Sequence, residues 1–304
     1  MVNDMRQYLE LIYFKTIKKN VIILRKLGRS IDEKKYVIFL IFIAVIVTLL
    51  CLYLKTTIKS LVLFVILYVG TALALPQIMY ENKIEKLERN IPQALYIIIL
   101  SLESGRSINE ALEEVVKSKI DEISDIFRKV LYLMEKQKLS FEESFNVISA
   151  LYDSKILRML ARIMIENRRY GGNLADSLKI LAKTLEDFAL YKRQLLSVTA
   201  QGLAVGFIIL CGVVPAIGGL LGAYLIAIST MTAGVSSPIP PVKPEDIQKG
   251  LEIVQIGTTL IGALFAVPLF GLKIGRMVMI STLTSTIGVL TYYMILKVAP
   301  GMFS

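Results

Sequence analysis

The residues with the most chemical capacity are charged side chains gathered between positions 81 and 199. Arg106, Arg168 and Arg169 fall at or beside glycine-containing turns, where a guanidinium can meet an acidic surface of a partner protein. The acid pairs Glu113-Glu114, Asp121-Glu122 and Glu142-Glu143 raise the question of a divalent cation. Neighbouring helix positions diverge by ~100°, so such pairs chelate poorly and read as acids stabilising helix starts. Enzymatic chemistry has few footholds. The sequence holds no histidine for zinc or a serine–histidine pair, and no Gly-rich loop ending in Lys-Ser/Thr for a nucleotide phosphate. An intramembrane aspartyl protease needs aspartates inside its spans, and all eight aspartates lie outside the apolar runs. Cys51 and Cys211 sit inside such runs and read as small buried hydrophobes. No catalytic residue, cofactor site or metal site is expected, and the chain reads as not an enzyme.

The elements that carry these charges repeat. Ser107-Ile-Asn-Glu110, Ser140-Phe-Glu-Glu143 and Asn173-Leu-Ala-Asp176 each pair a helix-capping side chain with an acid three residues on. The predicted caps Ser107, Ser140 and Asn173 are 33 residues apart both times. Apolar residues follow one, five and eight places after each cap (Ile108, Leu112, Val115 in the first copy), which puts them on one helix face. From Pro92, placed in a first helical turn, the pattern predicts six helices as three hairpins. Their ranges are 92–103 with 108–117, 121–137 with 141–151, and 154–169 with 174–199. Ser104-Gly105-Arg106, Lys138-Leu139 and Tyr170-Gly171-Gly172 are the expected turns. Each hairpin has an apolar face that it cannot bury alone, so the three should pack as one bundle. The last helix has no breaker before the next apolar run, a continuity able to carry motion of the bundle into the membrane.

Around that block the chain is greasy: 55% of residues are apolar, with a net charge of +10. Residues 81–199 are nearly neutral, and the positive surplus sits near the N-terminus, in Arg6, Lys15, Lys18, Lys19, Arg25, Lys26, Arg29, Lys34 and Lys35. A basic segment ahead of a span faces anionic lipid on the cytoplasmic side. The aromatic and basic platforms of a nucleic-acid binder are missing, so no nucleic acid is expected. The segment 1–35 reads as a cytoplasmic amphipathic helix on the membrane surface. Tyr36–Leu54 and Leu61–Tyr80 form a transmembrane hairpin (36–80), each near the ~20 residues needed to cross a bilayer. The block 81–199 is then cytoplasmic. Residues 200–304 supply about three more spans: Ala200 to Ile228, interrupted by Pro215; Leu251 to Leu272; and Met277 to Leu296. A Pro-rich external loop lies near 229–249, and the C-terminus is outside. The expected class is all-α, a polytopic membrane protein with about five transmembrane helices and an inserted cytoplasmic six-helix bundle. Gly202 and Gly206, Gly218 and Gly222, and Gly271 and Gly275 are spaced four apart and predict close transmembrane packing suited to self-assembly.

Ser101-Leu-Glu-Ser-Gly-Arg-Ser-Ile-Asn-Glu-Ala-Leu112, Leu139-Ser-Phe-Glu-Glu-Ser144 and Gly171-Gly-Asn-Leu-Ala-Asp-Ser-Leu178 ahead of a long charged helix resemble the type II secretion F domain over about 92–230. That domain belongs to platform proteins of type IV pili, type II secretion, Tad pili and archaeal filaments. The resemblance implies a cytoplasmic bundle contacted by a hexameric secretion ATPase, and spans that hand pilin-like subunits to a filament. It makes Arg106, Glu166, Arg168 and Arg169 candidates for partner contact. The longer platforms place a glutamate just before the last turn, and Glu166 lies near that place but displaced from it. They also carry two copies of the domain, whereas this chain carries one; its Gly-Gly-Asn-Leu turn and the paired spans on either side look more like the Tad and archaeal branch. One copy implies a homodimer, or a heterodimer with a paralogous platform protein. The alternative is a small-solute transporter or channel component with a regulatory helical domain. Ionisable residues in mid-span would favour it, and the predicted spans have none.

Overall fold

The computed structural model describes residues 13–29, 32–53, 56–170, 173–231 and 243–299. Every regular element among them is a helix, and five helices are long and apolar enough to cross a membrane. The all-α class with about five such spans is therefore the observed one. The chain divides into two compact units, Tyr80–Leu195 and Met1–Met79 with Leu196–Ser304.

In the unit Tyr80–Leu195, the end of α3 (Ile58–Glu103) leads into α4 (Ile108–Lys117), α5 (Asp121–Glu135), α6 (Phe141–Leu151), α7 (Lys155–Tyr170) and the start of α8 (Leu174–Ile208). These six helical segments share one apolar core. Leu112, Phe127, Leu160 and Leu178 are sealed from solvent within it, each stabilising the fold by roughly 1.5–3 kcal/mol. The helix expected to begin at Pro92 does not begin there. Pro92 lies inside the 46-residue α3. Leu87, Ile91, Leu95 and Ile98 form one buried stripe running through the proline, so packing outweighs the hydrogen bond it forfeits.

Polar contacts fix the order of the turns. Lys86 pairs with Asp121 at 3.2 Å, Ser154 Oγ donates to Glu88 at 2.7 Å, and the Asp153 N–H donates to the Tyr80 hydroxyl at 3.4 Å. The α4–α5 and α6–α7 turns therefore lie beside residues 80–88 of α3. The α3–α4 and α5–α6 turns, with Tyr170 of α7 and Leu174 of α8, lie at the opposite end, where Lys179 of α8 pairs with Glu103. At ~1.5 Å per residue, Glu103 is roughly 35 Å along α3 from Tyr80.

The second unit contains α1 (Lys19–Lys26, preceded by a π-helical turn Tyr13–Lys18), α2 (Glu33–Tyr53), the first part of α3, the end of α8, α9 (Val214–Met231), α10 (Pro244–Phe270) and α11 (Ile274–Val298). α11 is its centre. Thr282 bonds Thr71 of α3 at 2.7 Å, Thr284 donates to the Thr258 carbonyl of α10 at 3.0 Å, and the Tyr292 ring lies against Gly218 of α9. Two Thr-xxx-Gly pairs interlock across the antiparallel α10–α11 hairpin. A Cβ at Gly262 would collide with Thr284, and one at Gly288 would stand 2.8 Å from Thr258.

The prolines inside the described helices of this unit are absorbed without breaks. Pro76 deprives the Ala72 carbonyl of its helical donor, and the Tyr36 hydroxyl of α2 supplies one at 3.1 Å. Ahead of Pro215 the helix passes through a π-helical turn, Ile209–Val213, rather than ending. α1 is anchored through a buried side chain: Asn20 is 0% exposed, donates to the Leu73 carbonyl at 2.7 Å and accepts from Gln77 at 3.3 Å. The amide is thereby held by α3. α10 also begins within the loop expected at 229–249, because the Asp246 carboxylate accepts from the Lys243 N–H at 3.2 Å and caps a helix with proline in its first turn. The Pro-rich stretch 232–242 lies outside the described residues, as do Arg6, the Gly171-Gly172 turn and the C-terminal residues 300–304.

Candidate functional site

The repeat of 33 residues equals one helical hairpin, so every copy of the motif returns to the same end of the bundle. Ser107 Oγ accepts from the Glu110 N–H at 3.3 Å, and the Glu110 carboxylate accepts from the Ser107 N–H at 2.8 Å. Ser140 and Glu143 repeat this at 3.2 and 2.8 Å. Asn173 does so differently: its carbonyl accepts from the Asp176 N–H at 3.4 Å, while its side-chain amide donates to the Asp176 carboxylate. The Ser107 N–H bond holds the Glu110 carboxyl below its ordinary range, and the Ser140 N–H does the same for Glu143. The first turn is closed by Gly105 at φ 78°, with the Arg106 N–H on the Ser101 carbonyl and the Gly105 N–H on the Leu102 carbonyl. This is a Schellman ending, which spares glycine the left-handed penalty. In the second turn Lys138 takes φ 58° without that exemption.

The four predicted contact residues all lie toward this end. Arg106 pairs with Glu114 at 3.2 Å on the rim of an open groove of about 330 Å³, whose floor includes Ile97 and Leu100. Arg169 makes a two-pronged pair with Glu142 across the α6–α7 hairpin, and that bond raises the guanidinium's affinity for its proton. Arg168 lies over the Phe141 ring, 4.4 Å from its centroid. Glu166 is held by Arg162 at 2.8 Å and does not join the other three. Within the acid pairs, Glu142 faces Arg169 while Glu143 serves its cap, and Glu114 faces Arg106. Among the described residues no group of three or more acidic, cysteine or histidine side chains converges as a metal site would. The arrangement is a surface of exposed charges already balanced in pairs. A partner can exchange into such pairs at little cost, because exposed ion pairs contribute only ~0–1 kcal/mol.

The predicted transmembrane glycines separate into three kinds. Gly218 and Gly222 seat Tyr292 and Leu296, Gly206 lies under the Phe265 ring, and Gly275 meets Ala74, all within the chain. Gly202 has nothing within 4 Å of where a Cβ would stand. Gly271 is not a packing glycine: it ends α10 at φ 69°, with open space where its Cβ would be. Sequence reasoning passed over the buried Ser281, Thr282, Thr284 and Ser285 of α11. Their signal was visible, since this span has the lowest mean hydropathy of the five.

Residues 94–222 match the family model of the type II secretion system protein F. An uncharacterized protein of Methanocaldococcus jannaschii is 71% identical over 300 residues, covering 99% of this chain and 100% of its own length. No solved structure matches.

Proposed function

The chain belongs to the type II secretion system protein F family, and on that premise we propose that it is a non-enzymatic platform of the cytoplasmic membrane for assembling type IV-pilus-like filaments. In this reading the bundle is cytoplasmic, the N-terminus inside and the C-terminus outside. A hexameric secretion ATPase docks on the capped end, and the spans receive pilin-like subunits from the bilayer. The observation that carries the reading is the gathering of Arg106, Lys138, Arg168 and Arg169 at the end of the bundle remote from Tyr80. α3 and α8 are uninterrupted helices shared by both units. Force applied at the bundle has a continuous helical route toward the apolar segments.

The test reverses Arg168→Glu and Arg169→Glu together in the full chain. The expected result is loss of ATPase co-purification from membranes and loss of filaments, with membrane insertion retained. Lys119→Glu, at the opposite end of the bundle, should leave both intact. ATPase binding and filaments undiminished in the double variant would rule out this docking face.

A further inference from the structure

The weak point of α3 is served from outside the helix. Pro76 has no N–H for the Ala72 carbonyl, and the Tyr36 hydroxyl of α2 donates there at 3.1 Å. The next carbonyl, that of Leu73, accepts from the Asn20 amide of α1 at 2.7 Å. The same amide nitrogen donates to the Tyr36 oxygen at 3.3 Å, and the Asn20 side-chain carbonyl accepts from Gln77 at 3.3 Å. One side chain thus holds α3 on both sides of the proline, together with the tyrosine that replaces the missing donor. Asn20 is sealed from solvent, so no water competes for these bonds.

The hold on α1 itself is small. Of its eight residues only Asn20, Val21 and Leu24 are buried, and Val21 and Leu24 pack with Tyr36, Leu40 and Ala72. Lys19, Ile22, Arg25 and Lys26 are exposed. Gly28 at φ 83° ends the helix, with the Arg29 N–H on the Leu24 carbonyl at 3.0 Å, and gives α1 a pivot ahead of α2. An element with few buried contacts opens alone while the rest of a fold stays closed. Phe64 and Val289, by contrast, belong to an apolar core that α2, α3, α10 and α11 share.

We propose that α1 is a releasable clamp on α3, closed when Asn20 bridges Tyr36, Leu73 and Gln77, and that its release loosens α3 at Pro76. The device lies within residues 19–79 and stands apart from ATPase docking. The test uses the full chain carrying Cys51→Ala and Cys211→Ala in lipid nanodiscs, read by thiol labelling and by amide hydrogen exchange. With Asn20 in place, Val21→Cys should label about tenfold faster than Val289→Cys, although Val21 is only 1% and Val289 2% exposed. Equal protection would mean that α1 opens only together with the spans, and would overturn the proposal. Asn20→Ala should speed Val21→Cys labelling about tenfold further and hasten exchange at the Gln77, Ile78 and Met79 amides. Faster labelling with exchange in α3 unchanged would make α1 an attachment that clamps nothing, and would also overturn it. In a Pro76→Ala chain, whose helix has its donor back, position 20 should no longer affect exchange at those amides. An effect that persists there would exclude the proline as what the clamp serves.

Discussion

In the unit Tyr80–Leu195, the large side chains sealed from solvent are Leu, Ile, Val, Phe and Met, and ion pairs stay at its surface. In the other unit, α11 buries Ser281, Thr282, Thr284 and Ser285, while its helices turn large apolar side chains outward, Phe42 of α2 and Leu264 of α10 among them. Both units bury small hydroxyls, Ser124, Ser144 and Ser154 in the first, so the difference lies chiefly in where the large apolar side chains point. Water drives apolar faces together, so a bundle in water is specified by where its greasy stripes point. A hydrocarbon surround offers no such drive, and helices there associate through small residues, close packing and hydrogen bonds to freed carbonyls. The contrast is itself an argument about surroundings, because each unit uses the adhesive that works in one solvent.

Substitutions in one unit should leave the other intact. The largest effect should come from Phe127→Ala, which empties a fully buried site beside Phe145 and should cost about 3–5 kcal/mol. Hydrogen exchange of the solubilised chain should show lost protection across Tyr80–Leu195, with the α10–α11 hairpin unchanged. Gly262→Val should do the reverse: it drives a side chain into Thr284 and should cost roughly 1–3 kcal/mol, exposing α10 and α11 and sparing the bundle. Tyr36→Phe removes the donor to the Ala72 carbonyl and should cost about 1 kcal/mol. Pro76→Ala restores the helical donor, so the penalty should shrink in the double variant. The part of the penalty that persists belongs to the Asn20 amide, which donates to the same hydroxyl at 3.3 Å.

The smallest effects belong to the caps. Ser107→Ala or Ser140→Ala should cost ~1 kcal/mol each, read as a shift in the unfolding midpoint of the bundle. Glu110 and Glu143 titrate below their ordinary range in the folded chain, held by the N–H groups they cap. Their contribution is present above the ordinary carboxylate value of ~4.3 and is lost as pH falls from there through the depressed folded values. Glu110→Gln and Glu143→Gln, which leave no carboxylate to titrate at the cap, should therefore each show a shallower loss of stability as pH falls below about 4.3.

The sequence made the contrast only half legible. The spans and the apolar stripes of the bundle are long periodic patterns, and the capped starts at Ser107 and Ser140 carry their own acids, so local rules suffice for them. Pro92 misled because a proline is a strong local signal, yet the buried stripe Leu87–Ile98 that overrides it becomes visible only when five other helices are packed against it. The role of Asn20 could not be read from neighbours, since its partners are 53 and 57 residues away. Glycines four apart drew attention to Gly271, a turn residue. The reciprocal fit of Gly262 with Thr284 and Gly288 with Thr258 needs the pairing of two helices before either glycine has meaning. At the capped end, the motif spacing located the face, but the pairing of Arg169 with Glu142 depends on the α6–α7 hairpin geometry.

The proposed ATPase contact lies at the three-cap end of the bundle. A photoreactive residue at Arg106 or Lys138, and separately at Lys119 or Asp153 on the opposite turns, tests that docking in cells that carry the protein. Adducts with a nucleotide-hydrolysing hexamer should form from the first pair alone. Adducts only from Lys119 or Asp153, or labelling of the first pair by a probe that cannot cross the membrane, would contradict it.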